Sequence, residues 1–475
     1  MNKKHEKSLI WFRRNLRLQD NQALREGIEN SNQYLLIYIF DEKDWHESPL
    51  GIKRSSDLKL NFRWQSVLDL KEKIEKRGGQ LLIQKGDPTT LIQSLLEEHS
   101  FDALYAPKES GTEEIQYENK VQDLFMRNKG ELHLFPQNTL FHEDDIPWPI
   151  GKLPNIFTQF RKENEKQTEV RSLDECPEDL SNAISINQHF EFTDLGIENV
   201  QSGKKAVLNF QGGESTAWER LEHYFWEADQ LKEYKSTRNG MLGESYSSKF
   251  SPWLAEGCIS AKSIYYQVKK YEKERKKNQS TYWMIFELIW RDYFHFVLKR
   301  FGPQLFQKEG IKGNDTAWKW DVSLFEKWKN GETGVPFIDA NMRELNSSGF
   351  MSNRGRQNVA SFLVKDLGLD WRMGAWYFEH QLIDYDVASN WGNWAYVAGV
   401  GNDPRENRYF NILSQAKKYD AKGEYVRYWI PELKDINGFN IHRVALMKKN
   451  EMENVDSIIP EIYLKPILDM GKWEY

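Results

Sequence analysis

SLIWFRRNLRLQDNQALREGIENSNQYLLIYIFD, residues 8–41, sets the fold class of the N-terminal part of the chain. Two apolar runs, SLIWF (8–12) and YLLIYIFD (34–41), read as buried strands, and the residues between them carry an amphipathic helical pattern. A strand, a helix and a second strand make a βαβ unit, and such a crossover obliges the two strands to run parallel. The alternation continues outward through GQLLIQKGD (79–87), ALYAP (103–107) and LHLFP (132–136). Residues 1–135 are therefore expected to form an α/β doubly wound domain. The turn after the first strand, RRNLRLQDN (13–21), has none of the glycines of G-x-G-x-x-G that let a backbone approach a pyrophosphate. A dinucleotide held in the Rossmann manner is not expected at this turn.

Beyond residue 135 the pattern changes twice. IPWPIGKLPNIFTQFRK (146–162) holds three prolines, which disfavour regular structure, and the segment after it is acidic and weakly periodic. Residues 136–205 read as a long interdomain connector. From about Val207 onward apolar residues fall three and four apart, so residues 206–475 are expected to be all-helical. Gly331 to Pro336 and Ser347 to Gly349 bracket one of these helices, over FIDANMRELN (337–346).

Composition bounds the function. A chain of 475 residues exceeds what one hydrophobic core serves, and 39% hydrophobic residues are enough to fill more than one. No run reaches the roughly 18 apolar residues that a membrane span needs. MNKKHEKSLIWF leads directly into a strand, without a long apolar segment or an Arg/Ser-rich presequence, so a cytoplasmic location is expected. Cys176 and Cys258 are too few for a disulfide framework, and no His-rich metal spacing stands out, so no metal is expected. The net charge of −6 arises in residues 136–205, where 13 Asp/Glu face 7 Lys/Arg. The remainder is neutral overall, so the net charge does not exclude a nucleic acid as partner.

IDYDVASNWGNWAYVAGVGNDPRENRYFNILSQAKKYD, residues 383–420, mixes carboxylates, amides, tryptophans and arginines on a backbone loosened by three glycines. Neither a plain core nor a solvated face asks for that mixture. Asp384 and Asp386 offer hydrogen-bonding carboxylates, Asn390 an amide that donates or accepts, and Trp394 an oxidisable aromatic. Together they suit a buried redox ring, a flavin above all.

This stretch, with WFRRNLRLQDNQAL (11–24), FTQFRK (157–162), ELIWRDYFHF (287–296) and TGVPFIDANMRELNSSGFMSNRGRQNVASFLVKDLGLDWR (333–372), resembles the photolyase/cryptochrome family, most closely its cryptochrome DASH branch. The resemblance covers nearly the whole chain and implies an α/β domain, a connector and an all-helical domain holding FAD. It puts Tyr234, Ser247, Ser248, Lys249 and Ser251 around the flavin diphosphate, where hydroxyls beside a helix start suit an anion. Lys249 stands where many relatives carry Arg, a point charge in place of a fork of donors. Arg356 and Asp384 resemble the ion pair that flanks the flavin ring, although residues so far apart would serve equally as a bridge between helices. Asp386 and Asn390 match positions at the ring's edges. Trp394, Trp371 and Trp318 match a three-step electron wire to the surface, with Trp320 close enough to Trp318 to replace it. Glu109 resembles the carboxylate that holds a 5,10-methenyltetrahydrofolate antenna; deazaflavin and an empty site stay open.

For the substrate, Glu287 and Trp290 match positions that touch a cyclobutane pyrimidine dimer by hydrogen bond and by stacking. Gln357 and Tyr396 stand where duplex-specific photolyases carry Met and Trp. They imply a more polar pocket that recovers less of the cost of flipping a lesion out of a duplex. Ser352 and Asn353 replace the adjacent histidines of (6-4) photolyases. Arg354 and Arg408 match family positions that face phosphate, and Arg291 and Arg405 are added from local sequence alone. The expected activity is a blue-light-dependent lyase that repairs pyrimidine dimers in single-stranded DNA as a monomer, with looped duplex DNA and RNA open as further partners. The alternative is a photoreceptor or nucleic-acid-binding regulator without turnover. A light-independent electron-transfer flavoprotein is a remote third.

Overall fold

Five strands, β1 (His5–Phe12), β2 (Ser31–Asp41), β3 (Leu81–Gly86), β4 (Ala103–Pro107) and β5 (Glu131–Phe135), form one parallel sheet in the order β3-β2-β1-β4-β5. The computed structural model describes residues 4–187, 189–405, 408–453, 455 and 458–474. The crossovers α1 (Gln22–Asn30), α2 (Asp57–Glu75), α3 (Pro88–His99) and α4 (Thr112–Arg127) complete the doubly wound domain. Local chemistry starts these helices: Asn21, Ser56 and Asp87 each accept a backbone N–H of the first turn, and Pro88 occupies the first turn of α3. All five strands expected from the sequence are present.

The glycine-free turn after β1 has a different task from phosphate binding. Arg17 is buried in it, and its guanidinium donates to the carbonyls of Asp20 (2.8 Å) and Gly257 (2.9 Å). Leu18 N and Gln19 N donate to the carboxylate of Glu214 at 3.1 and 3.0 Å. Gly257, at φ +71°, approaches so closely that a Cβ there would lie 2.0 Å from the carbonyl oxygen of Arg14. The turn is filled by side chain and by the helical half of the molecule, and its backbone donors serve to dock the two halves.

The connector is more regular than expected. Residues Phe157–Gln167 form helix α5, and Phe157 and Phe160 are buried in the core. Pro147, Pro149 and Pro154 all precede the helix, where they cost it no internal hydrogen bond. Farther on, Ala183 bridges Tyr34 beside the start of β2, with Ile184 N donating to Tyr34 O at 2.7 Å.

The rest of the described chain is helical: α6 (Glu214–Glu222), α7 (Tyr234–Thr237), α8 (Ser251–Ala255), α9 (Ala261–Glu274), α10 (Gln279–Phe301), α11 (Val322–Asn330), α12 (Pro336–Ser348), α13 (Asn353–Ser361), α14 (Trp371–Gln381), α15 (Val387–Ala398), α16 (Ile412–Tyr419), α17 (Glu424–Trp429) and short turns beyond. Pro336 opens α12 and Gly349, at φ +67°, closes it, as the punctuation predicts. Among the described residues, no helix is long and apolar enough to cross a membrane.

Candidate active site

A cleft of about 540 Å³ opens in the helical half, walled by α10, α13, α15 and the loop 247–251. It gathers Tyr234, Ser247, Ser248, Lys249, Ser251, Glu287, Trp290, Arg291, Arg356, Gln357, Asp384, Asp386, Asn390, Trp394, Tyr396 and Arg408. Helical spacing explains the convergence: Asp386 caps α15, and Asn390 and Trp394 follow it at intervals of four on one face. Glu287, Arg291 and His295 keep the same spacing on α10.

The polar wall is built around Asp384. Its Oδ2 accepts from Arg356 Nη2 (2.7 Å) and Ser251 Oγ (2.6 Å), while its Oδ1 is buried with no hydrogen-bond partner. Such an atom costs free energy unless a ligand satisfies it. Asn390 donates through Nδ2 to the carbonyl of Ala375 at 3.0 Å. That carbonyl can only accept, so the amide oxygen is the atom left for the cleft. Burial by itself would raise the pKa of Asp386, but His295 and Arg291 hold the carboxyl far below its ordinary range. His295 Nε2 lies 3.1 Å from Asp386 Oδ2, and its Nδ1 lies 3.3 Å from Ser110 Oγ in the α/β domain. The sequence reading missed His295 and Ser110, although the four-residue spacing after Glu287 and Arg291 pointed to His295.

The loop 247–251 departs from expectation in two ways. Helix α8 is only five residues long, too short for much of a macrodipole, and the Ser251 hydroxyl is spent on Asp384. Lys249, at φ +57°, turns its ammonium back onto the carbonyl of Glu244 (2.8 Å) and over the Tyr246 ring. Burial pushes its pKa well below the ordinary lysine value. Arg220 shapes the loop, donating to the carbonyls of Ser248 (3.0 Å), Ser247 (3.2 Å) and Glu244 (2.8 Å). The Ser247 and Ser248 side chains and Tyr234 are left to face the cleft.

At the other end, Glu287 forms an ion pair with Arg238, a residue the sequence did not single out. Burial raises the pKa of Glu287 and Arg238 opposes the rise. Trp290 stacks one face on Phe157 (centroids 3.5 Å apart, 11° between planes) and meets Tyr396 edge-on at 6.2 Å. Arg408 donates to the Tyr396 hydroxyl (3.2 Å) and pairs with Asp403. Arg354 lies behind the wall, donating to Gln357 Oε1 (2.7 Å) and Asn239 Oδ1 (3.1 Å). Of the two arginines added from local sequence, Arg291 lines the cleft and Arg405 does not. Arg291 donates inward to the carbonyl of Asn138 because α10 packs on that loop, and Arg405 is exposed on a segment that does not line the cleft.

Trp394 is buried against Gly374, where a Cβ would lie 2.1 Å from its Cη2, one turn after Trp371 on α14. The indole N–H groups of Trp371 and Trp318 donate to one acceptor, the carbonyl of Lys308, at 3.1 and 3.2 Å. Trp320 offers a second exposed end. It is 49% exposed at the end of a separate series, in which Trp371, Trp391, Trp376 and Trp320 meet at centroid distances of 5.7, 5.9 and 6.1 Å. Trp391 lay in the quoted 383–420 stretch, but its place in a series depends on helix packing.

A second cleft, also of about 540 Å³, lies where the carboxyl ends of β1 and β4 meet the helical half. These strands flank the point at which strand order reverses, the usual ligand position in an open α/β sheet. Glu109 lines it, 6% exposed, with Oε2 accepting from Asn138 Nδ2 (3.1 Å) and Oε1 without a hydrogen-bond partner. Burial raises its pKa, partly offset by Arg13 and Arg14.

Residues 8–179 match the family described as DNA photolyase, and residues 283–474 match the FAD binding domain of DNA photolyase. Cryptochrome DASH of Gloeobacter violaceus is 43% identical over 464 residues, covering 97% of this chain and 93% of that protein. The crystal structure of a Synechocystis sp. PCC6803 cryptochrome superposes with a TM-score of 0.94 at 42% identity, covering 100% of this chain and 98% of that one. An archaeal photolyase from Sulfolobus tokodaii, solved with two FAD molecules, gives 0.80 at 26% identity over 98% and 97%. With both domains matched on one fold and relatives of this identity along nearly its whole length, the chain belongs to the photolyase/cryptochrome family and is similar throughout to cryptochrome DASH proteins.

Proposed function

We propose that this protein is a blue-light-dependent lyase of cryptochrome DASH type that repairs cyclobutane pyrimidine dimers in single-stranded DNA by electron transfer from reduced FAD. The observation that carries the reading is one cleft with two unlike ends: an unsatisfied carboxylate oxygen and an oriented amide at one, a half-buried acid beside a stacked indole at the other. Bound there, FAD supplies the light-excited electron. Asp384, backed by Arg356, and the Asn390 oxygen would orient the ring, with Asp386 fixed by His295 at its edge. Tyr234, Ser247 and Ser248 would meet the diphosphate. Glu287, its pKa raised by burial, would hydrogen-bond the base edge, and Trp290 and Tyr396 offer aromatic surface to the flipped dimer.

Gln357 and Tyr396 make the substrate end polar, which supports an unpaired strand over a duplex whose unstacking must be repaid. Arg408 supplies charge for the strand. A folate antenna in the second cleft, accepted by Glu109 Oε1, belongs to the same reading. The test is dimer loss from an ultraviolet-irradiated oligothymidine with the reduced protein, in blue light and in the dark, beside the matching duplex. Light-dependent loss confined to the single strand is expected. Equal loss in the duplex would remove the role given to Gln357 and Tyr396. No loss in either, with a photoreducible flavin, would replace the enzyme with the photoreceptor.

A further inference from the structure

At the edge of the sheet opposite both clefts, three side chains converge that the sequence keeps 126 and 128 residues apart: His5 on β1, and Glu131 and His133 on β5. Sheet geometry brings them together. The strand between them, β4, begins only at Ala103, which pairs with Ser8 and with Glu131, so β1 starts three residues earlier and the two outer strands meet over the notch. His5 Nε2 lies 3.9 Å from Glu131 Oε2, and His133 Nε2 lies 3.1 Å from the same atom. The three ligand atoms all fall within 4.8 Å of one another.

We propose that His5, Glu131 and His133 form a site for one divalent transition-metal ion of the zinc class, pinning β1 to β5 across the start of β4. The first support is an unsettled cost. The His5 side chain is 5% exposed and its Nε2 makes no hydrogen bond, since Glu131 Oε2 lies 3.9 Å away. Burying an imidazole nitrogen without a partner is unfavourable, and a metal returns that cost as coordination. The second is preorganisation. Tyr105 stacks on His133 at 4.7 Å and meets His5 edge-on at 6.1 Å, which holds both rings as the outer groups of a metal site do. Ligand atoms sharing one zinc ion stand about 3.5 Å apart, so roughly an ångström of side-chain adjustment closes the set.

Two imidazoles and one carboxylate suit zinc, nickel or cobalt and are a poor set for calcium or magnesium, which take oxygen. Water completes the coordination. Lys4 occupies the carboxylate at 2.6 Å, but its side chain is 55% exposed and free to swing into solvent when the ion enters. It is a competitor for Glu131, and that makes the proposal specific.

The experiment is calorimetric titration of ZnCl2 into the FAD-loaded, EDTA-stripped protein, with melting temperature as a second readout. One equivalent should bind, and His133→Ala and Glu131→Gln should each weaken it about tenfold or more. Lys4→Ala should tighten it several-fold, and zinc should raise the melting temperature of the native protein but not of His133→Ala. His133 and Glu131 are partly exposed, so their variants are expected to fold. Absence of binding at about 100 μM zinc, or binding unchanged in both variants, overturns the assignment.

Discussion

The two clefts have the same volume, about 540 Å³, yet they treat their carboxylates differently. In the helical cleft each acid keeps its own basic partner: Asp384 with Arg356, Asp386 with His295, Glu287 with Arg238. In the cleft at the sheet, Arg54 bridges Glu113 and Glu379, and Arg63 bridges Asp44 and Glu256, so these charges are spent on one another. Glu109 is left with one amide and a raised pKa. The first arrangement fixes a polar ring in one orientation through charged hydrogen bonds. In the second, Glu109 keeps one carboxylate oxygen without a hydrogen-bond partner.

The largest break in that comparison is expected from Asp384→Asn, which leaves Arg356 without its anion and keeps only one of the two carboxylate oxygens. Flavin affinity should fall about 100-fold, the equivalent of ~3 kcal/mol, read from the absorbance of the purified protein and by titration with FAD. Retention of flavin at the native level would mean that the pair only joins helices.

Glu287→Ala should keep its flavin and lose repair by about 100-fold. The pH dependence sharpens the point. Burial raises the pKa of Glu287, so the donating acid form persists to higher pH than an ordinary glutamic acid allows and is lost as pH rises through that raised value. Repair rate should therefore decline on the alkaline side, and Glu287→Gln, which keeps a neutral donor, should flatten the decline. An unchanged profile in Glu287→Gln would assign the limb to another group.

Trp371→Phe should slow photoreduction of the flavin about tenfold or more, because both tryptophan series leave from it. Trp318→Phe alone should cost only a few-fold, since the series ending at Trp320 remains. Bleaching of the oxidised flavin under blue light with an external donor measures both, and equal losses in the two variants would show that the second series does not conduct.

The mildest effect belongs to the sheet cleft. Glu109→Gln should leave flavin content and repair at saturating light unchanged, and should narrow the action spectrum to that of the flavin if a folate antenna co-purifies with the native protein. A fall in saturated repair would contradict the separation of the two clefts.

Much of this was legible before folding. Apolar runs of strand length separated by amphipathic stretches announced the parallel sheet, because burial on both faces leaves few other sequences for such strands. The spacing of Asp386, Asn390 and Trp394 was legible because a helix repeats every 3.6 residues. The direction of the Lys249 side chain was not legible because it follows from a left-handed backbone and from Arg220 gathering the loop's carbonyls. Helix α5 was misjudged because prolines ahead of a helix look, in sequence, like prolines within it.

By itself the sequence determined the α/β and helical halves, the family, and the residue types gathered in the cleft, since all of these rest on local periodicity and on motifs contiguous along the chain. Tertiary structure alone decided which groups pair. Arg238 reaching Glu287, His295 standing between Ser110 and Asp386, and His5 meeting His133 over a short strand all depend on elements far apart in sequence, and contacts of that kind are fixed by packing, which no local pattern encodes.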